Sequence, residues 1–89
     1  MRPPNDVNVV ILSGQVTYVR VYDDGQRVVL ILATPRGRFY VEYAPKGKAC
    51  EDFQVGDQVM VKGCLYARRG REGFEMSRIG AEEVTKIRP

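Results

Sequence analysis

The run Asn8-Val9-Val10-Ile11-Leu12-Ser13-Gly14-Gln15-Val16-Thr17 constrains this chain more than any other stretch. On a strand, Val9 and Ile11 fall on one side while Val10 and Leu12 fall on the other, so both sides are apolar. Strands of a half-solvated antiparallel sheet alternate apolar with polar residues. This one must bury both faces, or bury one and offer the other to a partner chain. Gly14 then lets the backbone coil sharply, as a strand must when it serves both halves of a small closed barrel. A second strand, Asp57-Gln-Val-Met-Val-Lys-Gly-Cys-Leu-Tyr66, repeats the device with Gly63 at its middle.

A chain of 89 residues supports one domain, with residues 1–7 read as a short flexible N-terminus and 8–87 as the folded unit. At this size only about 60–65% of the unfolded surface can be buried, which makes oligomerisation a natural supplement. The longest apolar run is six residues, Val28 to Ala33. That is far short of the roughly 20 that span a bilayer. Met1-Arg-Pro-Pro-Asn-Asp6 has no apolar core of a signal peptide, so the expected location is the cytoplasm. Two cysteines, Cys50 and Cys64, and no histidine offer neither a disulfide framework nor a zinc site. Free thiols, no metal and no cofactor are expected.

Five strands fit the pattern. The first spans about Asn8 to Tyr22 and ends at Asp23-Asp24-Gly25, a strong hairpin signal. Arg27 to Thr34 is the second, and Pro35-Arg36-Gly37 turns the chain into the third, Arg38 to Tyr43. Ala44 to Phe53 lacks period-2 patterning and has room for a helical turn around Ala49 to Phe53. The fourth strand runs from Asp57 to about Arg68. The fifth covers Phe74 to Gly80, with Val84 and Ile87 closing the end. Three strands, at most a short helix, then two strands predict an all-β, five-stranded Greek-key barrel of the OB type.

Parity assigns faces within these strands. In the third, Arg38, Tyr40 and Glu42 share one side, and two charges cannot enter a small core unpaired. Phe39 and Val41 therefore point inward and Tyr40 outward. In the fourth, Val59, Val61, Gly63 and Leu65 go inward, leaving Lys62, Cys64, Tyr66 and Arg68 outside. Tyr18, Arg20 and Tyr22 form an exposed set on the first strand, with Arg27 facing it across the hairpin.

Outward aromatics interleaved with cations are what single-stranded nucleic acid requires. Bases stack on aromatic faces for about 1–3 kcal/mol each while cations follow the phosphates. Tyr18-Arg20-Tyr22, Arg38-Tyr40 and Tyr66-Arg68 each combine the two residue types at strand spacing. Tyrosine is also common on sheet surfaces, where it stabilises cross-strand pairs. Positive charge gathers in two segments. Arg36, Arg38, Lys46 and Lys48 lie in one; Lys62, Arg68, Arg69, Arg71 and Arg78 lie in the other. The loop Arg68-Arg69-Gly70-Arg71 joins the last two strands, which in an OB barrel flanks the nucleic-acid face. Arginines in a loop also simply solvate it. The acidic doublets Asp23-Asp24, Glu51-Asp52 and Glu82-Glu83 face no nucleophile or base, and no catalytic residues are expected.

The order of segments resembles the bacterial single-stranded DNA-binding proteins. Asn8 to Thr17 is similar to their opening strand and Leu30-Ile-Leu-Ala-Thr34 to their second. Gly47-Lys-Ala49, the Val55-Gly-Asp57 to Leu65 block and Ala81-Glu-Glu-Val84 resemble later segments in the same order. The resemblance implies an OB-fold that binds single-stranded DNA with little sequence preference, in replication, restart or repair. It also implies homodimers paired through the first strand, here Val9, Val10, Ile11 and Leu12. The chain reads Lys86-Ile-Arg-Pro89 where that family carries a linker and acidic tail, and in this it is closer to the short primosomal replication proteins of the PriB type. Primosome or other replication proteins are then possible partners. The first hairpin loop and the helix region are short, and the absence of tryptophan lowers the expected affinity. Family alignment could place Tyr43 on the DNA face, against parity, so its orientation is open. An RNA-binding module and a protein–protein adaptor without nucleic-acid binding are the alternatives.

Overall fold

The computed structural model describes residues 7–45, 53–69 and 75–87, and for residues 68, 69, 75 and 76 the backbone only. Five strands close into a barrel in the order β1-β2-β3-β5-β4. They are β1 (Val10–Tyr22), β2 (Arg27–Thr34), β3 (Gly37–Tyr43), β4 (Gln58–Arg69) and β5 (Glu75–Lys86). All pairs are antiparallel except β3 with β5. No helix of the described residues is long and apolar enough to cross a membrane.

β1 serves two neighbours, as its glycine suggested. Its first half, Val10 to Gln15, pairs with β4, and its second half, Gln15 to Tyr22, pairs with β2. The changeover is a local irregularity: Val16 opposes Leu32 and Tyr18 opposes Ile31, so Thr17 is the extra residue of a bulge. Thr17 Oγ1 donates to the Ile31 carbonyl at 3.1 Å. On the other side, the Val16 N–H donates to the Asp57 carbonyl and the Gly56 N–H donates to the Val16 carbonyl, each at 2.8 Å. Gly14 sits where β1 crosses the end of β2; a Cβ there would lie 2.8 Å from the Ala33 carbonyl oxygen.

The core follows the parity reading closely. Val16, Leu30, Leu32, Val41, Val59 and Val61 have no exposed surface, and Val28 and Ile79 have almost none. Val10, Leu12, Val19, Phe39 and Ala81 pack against them from the rim. Tyr43, whose orientation was open, is in the core, edge-on to Phe53 with ring centroids 6.4 Å apart. Leu65 has inward parity but lies at the barrel mouth, where it remains 47% exposed.

Two sequence-based boundaries change. The fifth strand does not end at Gly80 but continues to Lys86. Lys62 opposes Glu83 while Gly63 opposes Ala81, which makes Glu82 the bulged residue and breaks the period-2 pattern that the strand would otherwise show. The first hairpin turns through Asp23–Gly25 with three successive positive φ angles, 54° and 54° at the aspartates and 90° at Gly25. This is wider than a two-residue hairpin loop. The helical turn expected at Ala49 to Phe53 lies outside the described residues apart from Phe53, as does the N-terminus before Val7.

Gly63 faces the β5 bulge, and a Cβ at this position would overlap the Gly80 carbonyl and stand 2.9 Å from the Ala81 Cα. Both obstacles are backbone, so neither yields cheaply. Gly63→Ala is expected to cost about 1–3 kcal/mol by overpacking. Equilibrium denaturation measures it, and a wild-type midpoint would contradict this register.

Candidate nucleic-acid interface

Outward-facing side chains of β1, β2, β3 and β5 form one connected row. It starts on β1, where the Arg20 guanidinium lies 5.1 Å from the Tyr22 ring centroid. Arg27, paired with Tyr22 across the first hairpin, covers the same ring at 4.6 Å. Arg27 Nη1 lies 3.9 Å from Glu42 Oε2 on β3, and its Nε lies 3.8 Å from Asp23. Glu42 accepts a hydrogen bond from Arg78 Nη1 of β5 at 2.7 Å. Arg78 in turn lies 4.3 Å from the Tyr40 ring centroid.

Register explains the row. Arg20, Val29 and Glu42 stand in line across β1, β2 and β3, and Glu42 faces Gly80 across the parallel pair. Val29 points outward yet is only 3% exposed and lies apart from the core cluster. Its burial therefore comes from the outer-face side chains above it. Tyr66 of β4 opposes Arg78, and its ring lies where a side chain on Gly80 would stand, 3.3 Å from such a Cβ. The row thus runs from β1 to β4 around one side of the barrel.

Two guanidiniums, of Arg27 and Arg78, meet two carboxylates along this row, while Arg20 on Tyr22 and the exposed Arg38 beyond Tyr40 add further cations. The face carries net positive charge held in place by stacking. Each guanidinium–ring contact contributes about 0.5–2 kcal/mol, and the Glu42–Arg78 contact is a charge-assisted hydrogen bond between half-buried groups. The Nε atoms of Arg27 and Arg78 are buried with no hydrogen-bond partner. The arrangement therefore fixes cations and rings at some cost in polar satisfaction. Chemically it offers flat π faces and fixed positive charge.

The candidates from the sequence divide three ways. Tyr18, Arg20, Tyr22, Arg27, Arg38, Tyr40 and Tyr66 share this side, Tyr18 standing outward opposite Ile31. Arg36 lies apart, exposed in the β2–β3 turn, and Lys62 stands farther back along β4, between Ile11 and Glu83. Arg68 and Arg69 end β4 with side chains not described, and Lys46, Lys48 and Arg71 lie outside the described residues. Arg78, counted in the sequence only as part of a cationic segment, and its anchor Glu42 were not among the expected contacts. Outward parity is visible for both in the sequence. Only the long-range β3–β5 and β4–β5 registers put Arg78 between Tyr40 and Tyr66.

No protein-family model and no curated protein matches the chain. Solved structures do. The Plasmodium falciparum SSB in complex with single-stranded DNA superposes with a TM-score of 0.73 at 14% identity, covering 98% of this chain and all of that one. The dimeric N-terminal domain of PriB from Thermoanaerobacter tencongensis gives a TM-score of 0.61 at 16% identity over 92% of this chain and 98% of that one. An aspartyl tRNA synthetase from Entamoeba histolytica matches with a TM-score of 0.68 at 14% identity over 88% of this chain, which spans only 18% of the synthetase. These likenesses establish the fold. The chain is an OB barrel of the kind found in SSB and PriB.

Among the described residues, Glu42 is the one carboxylate that both Arg27 and Arg78 approach. Its removal leaves two half-buried guanidiniums without that counter-ion. Glu42→Ala is expected to lose about 1–3 kcal/mol of stability, the cost of stranding charged donors. Urea titration reads it, and a change below about 0.5 kcal/mol would mean that solvent screens the pairs.

Proposed function

We propose that this chain is a non-enzymatic protein that binds single-stranded DNA with little sequence preference. The observation that carries the reading is the Arg20–Tyr22–Arg27–Glu42–Arg78–Tyr40 row on one side of an OB barrel. Stacking serves any base, because every base has a π face, and the arginines supply phosphate contacts. The likeness over the full length of a chain solved with single-stranded DNA supports DNA as the ligand. Single-stranded RNA is the second reading, which the likeness to a tRNA synthetase supports. The likeness to PriB supports replication, restart or repair in the cytoplasm as the setting, with other replication proteins as partners.

Assembly belongs to the same proposal. Val10 to Gly14 of β1 pair with β4 alone, so among the described residues the other edge of this segment has no ladder partner. Val9 and Ile11 project outward from it, 62% and 64% exposed, and Met60 adjoins them on β4. Val10 and Leu12 turn toward the core. A free edge beside apolar side chains is a template for a second chain. Two copies paired through β1 would cover Val9 and Ile11, and one neighbour is itself a dimeric domain. Ile11→Glu is expected to shift the mass from dimer to monomer in light scattering at tens of micromolar protein. Wild-type protein that is already monomeric there ends the dimer proposal.

Anisotropy titrations with labelled poly-dT, poly-rU and duplex across a salt series test the ligand. For single strands, log affinity falls with log salt by about 0.7 per phosphate contact, so Arg20, Arg27, Arg38 and Arg78 together give a slope near −3. Tyr22→Ala is expected to weaken poly-dT binding by about 1–3 kcal/mol. A flat salt dependence would point to the adaptor instead, and stronger binding of duplex would overturn the single-strand reading.

A further inference from the structure

β3 and β5 are joined only through Val41 to Tyr43 and Ile79 to Ala81. Ahead of that junction, among the described residues, Gly37 to Tyr40 pair only with β2, and Glu75 to Arg78 pair only with β4. The two strands splay apart there, and a cleft of about 580 Å³ opens between them. Phe39, Leu65 and Ile79 form an apolar floor, while Arg38, Tyr40, Ser77 and Arg78 form its walls. It begins where the stacked row ends, since Tyr40 and Arg78 belong to both.

We infer that this cleft takes one unstacked nucleobase from a bound single strand, a site that rests on the single-strand reading above. The lining matches a planar heteroaromatic ring. Its faces meet apolar side chains and the guanidiniums of Arg38 and Arg78, both good partners for a π surface. Its polar edge meets the Ser77 hydroxyl and the free edge of β3, where alternate residues turn their N–H and C=O groups away from β2. A phosphate gains nothing from the floor, and an aliphatic side chain gains little from the guanidinium walls. The size falls within the range of small-molecule sites. Leu65, 47% exposed although its parity is inward, is the apolar side chain that such a base would cover. A row of stacking rings alone treats all bases alike; a cleft with hydrogen-bonding walls gives one position along the strand a preference.

The test crosses two proteins with two ligands. Wild type and Ser77→Trp, whose indole fills the cleft from an exposed position, are titrated with oligo-dT and with a base-free sugar–phosphate oligomer of the same length. Entry of a base predicts that Ser77→Trp weakens oligo-dT binding by about 5- to 150-fold, the range of one lost base contact, and leaves the base-free oligomer unchanged. Equal binding of oligo-dT by both proteins overturns the cleft while the single-strand reading stands, provided Tyr22→Ala still weakens binding. An equal loss on both ligands also overturns it, because the plug would then act on the backbone path. Wild type that does not bind oligo-dT overturns both readings. Should Ser77→Trp melt early, the Leu65 methyl resonances of the wild type decide: they shift with oligo-dT and not with the base-free oligomer, or the site is refuted.

Discussion

Closure of this barrel depends on β1 leaving one neighbour for another at Gln15, the residue that pairs with both Ala33 and Gln58. A single strand cannot face two partners across a sharp corner without losing ladder bonds, and the structure restores them locally. Val16 bonds to the Gly56–Asp57 turn, and Thr17 is extruded and returns its hydroxyl to the Ile31 carbonyl. That turn is itself pinned: Gln54 donates its N–H to Asp57 Oδ2 at 2.9 Å, and Lys86 lies 3.6 Å from the same carboxylate. The end of the fifth strand is thereby tied to the corner of the first.

The corner also divides the surface. Downstream of it, β1 faces β2 and carries Tyr18, Arg20 and Tyr22 outward onto the charged row. Upstream, it carries Val9 and Ile11 outward beside β4. One strand thus contributes to a polar, cationic face and to an apolar one. Because the bulge shifts parity by one residue between them, the same strand keeps Val10, Leu12 and Val16 inward before it and Val19 inward after it. Without the extra residue, Tyr18 and Tyr22 would share the inward parity of Val16.

Much of this was legible in the sequence because charge forbids burial. Arg38 and Glu42 fixed the faces of β3, and Lys62 fixed those of β4. Tyr43, undecided on family grounds, obeys the same parity and packs on Phe53. What eluded the sequence was circumferential. Parity says that a residue points outward, but a barrel has outward directions all around it, so Lys62 and Tyr22 look equivalent in sequence while one stands between Ile11 and Glu83 and the other opposite Arg27. Arg78 was missed for the converse reason, since its neighbours come from β3 and β4 by pairing that no local pattern encodes. The extension of β5 was hidden by Glu82, whose bulge places two glutamates in succession inside a strand.

The order of pairing along the chain sets an order of assembly. β1, β2 and β3 form consecutive hairpins, so their contacts are local and can form early. Val10, however, pairs with Gly63, and Tyr43 with Ala81. During synthesis, the apolar first half of β1 therefore leaves the ribosome more than half a chain length before its partner strand exists. Until then both edges of that segment and both of its apolar faces are unprotected, the condition in which nascent strands aggregate or engage chaperones. The stretch that most constrains the native fold is thus also the one exposed longest while the fold is being made.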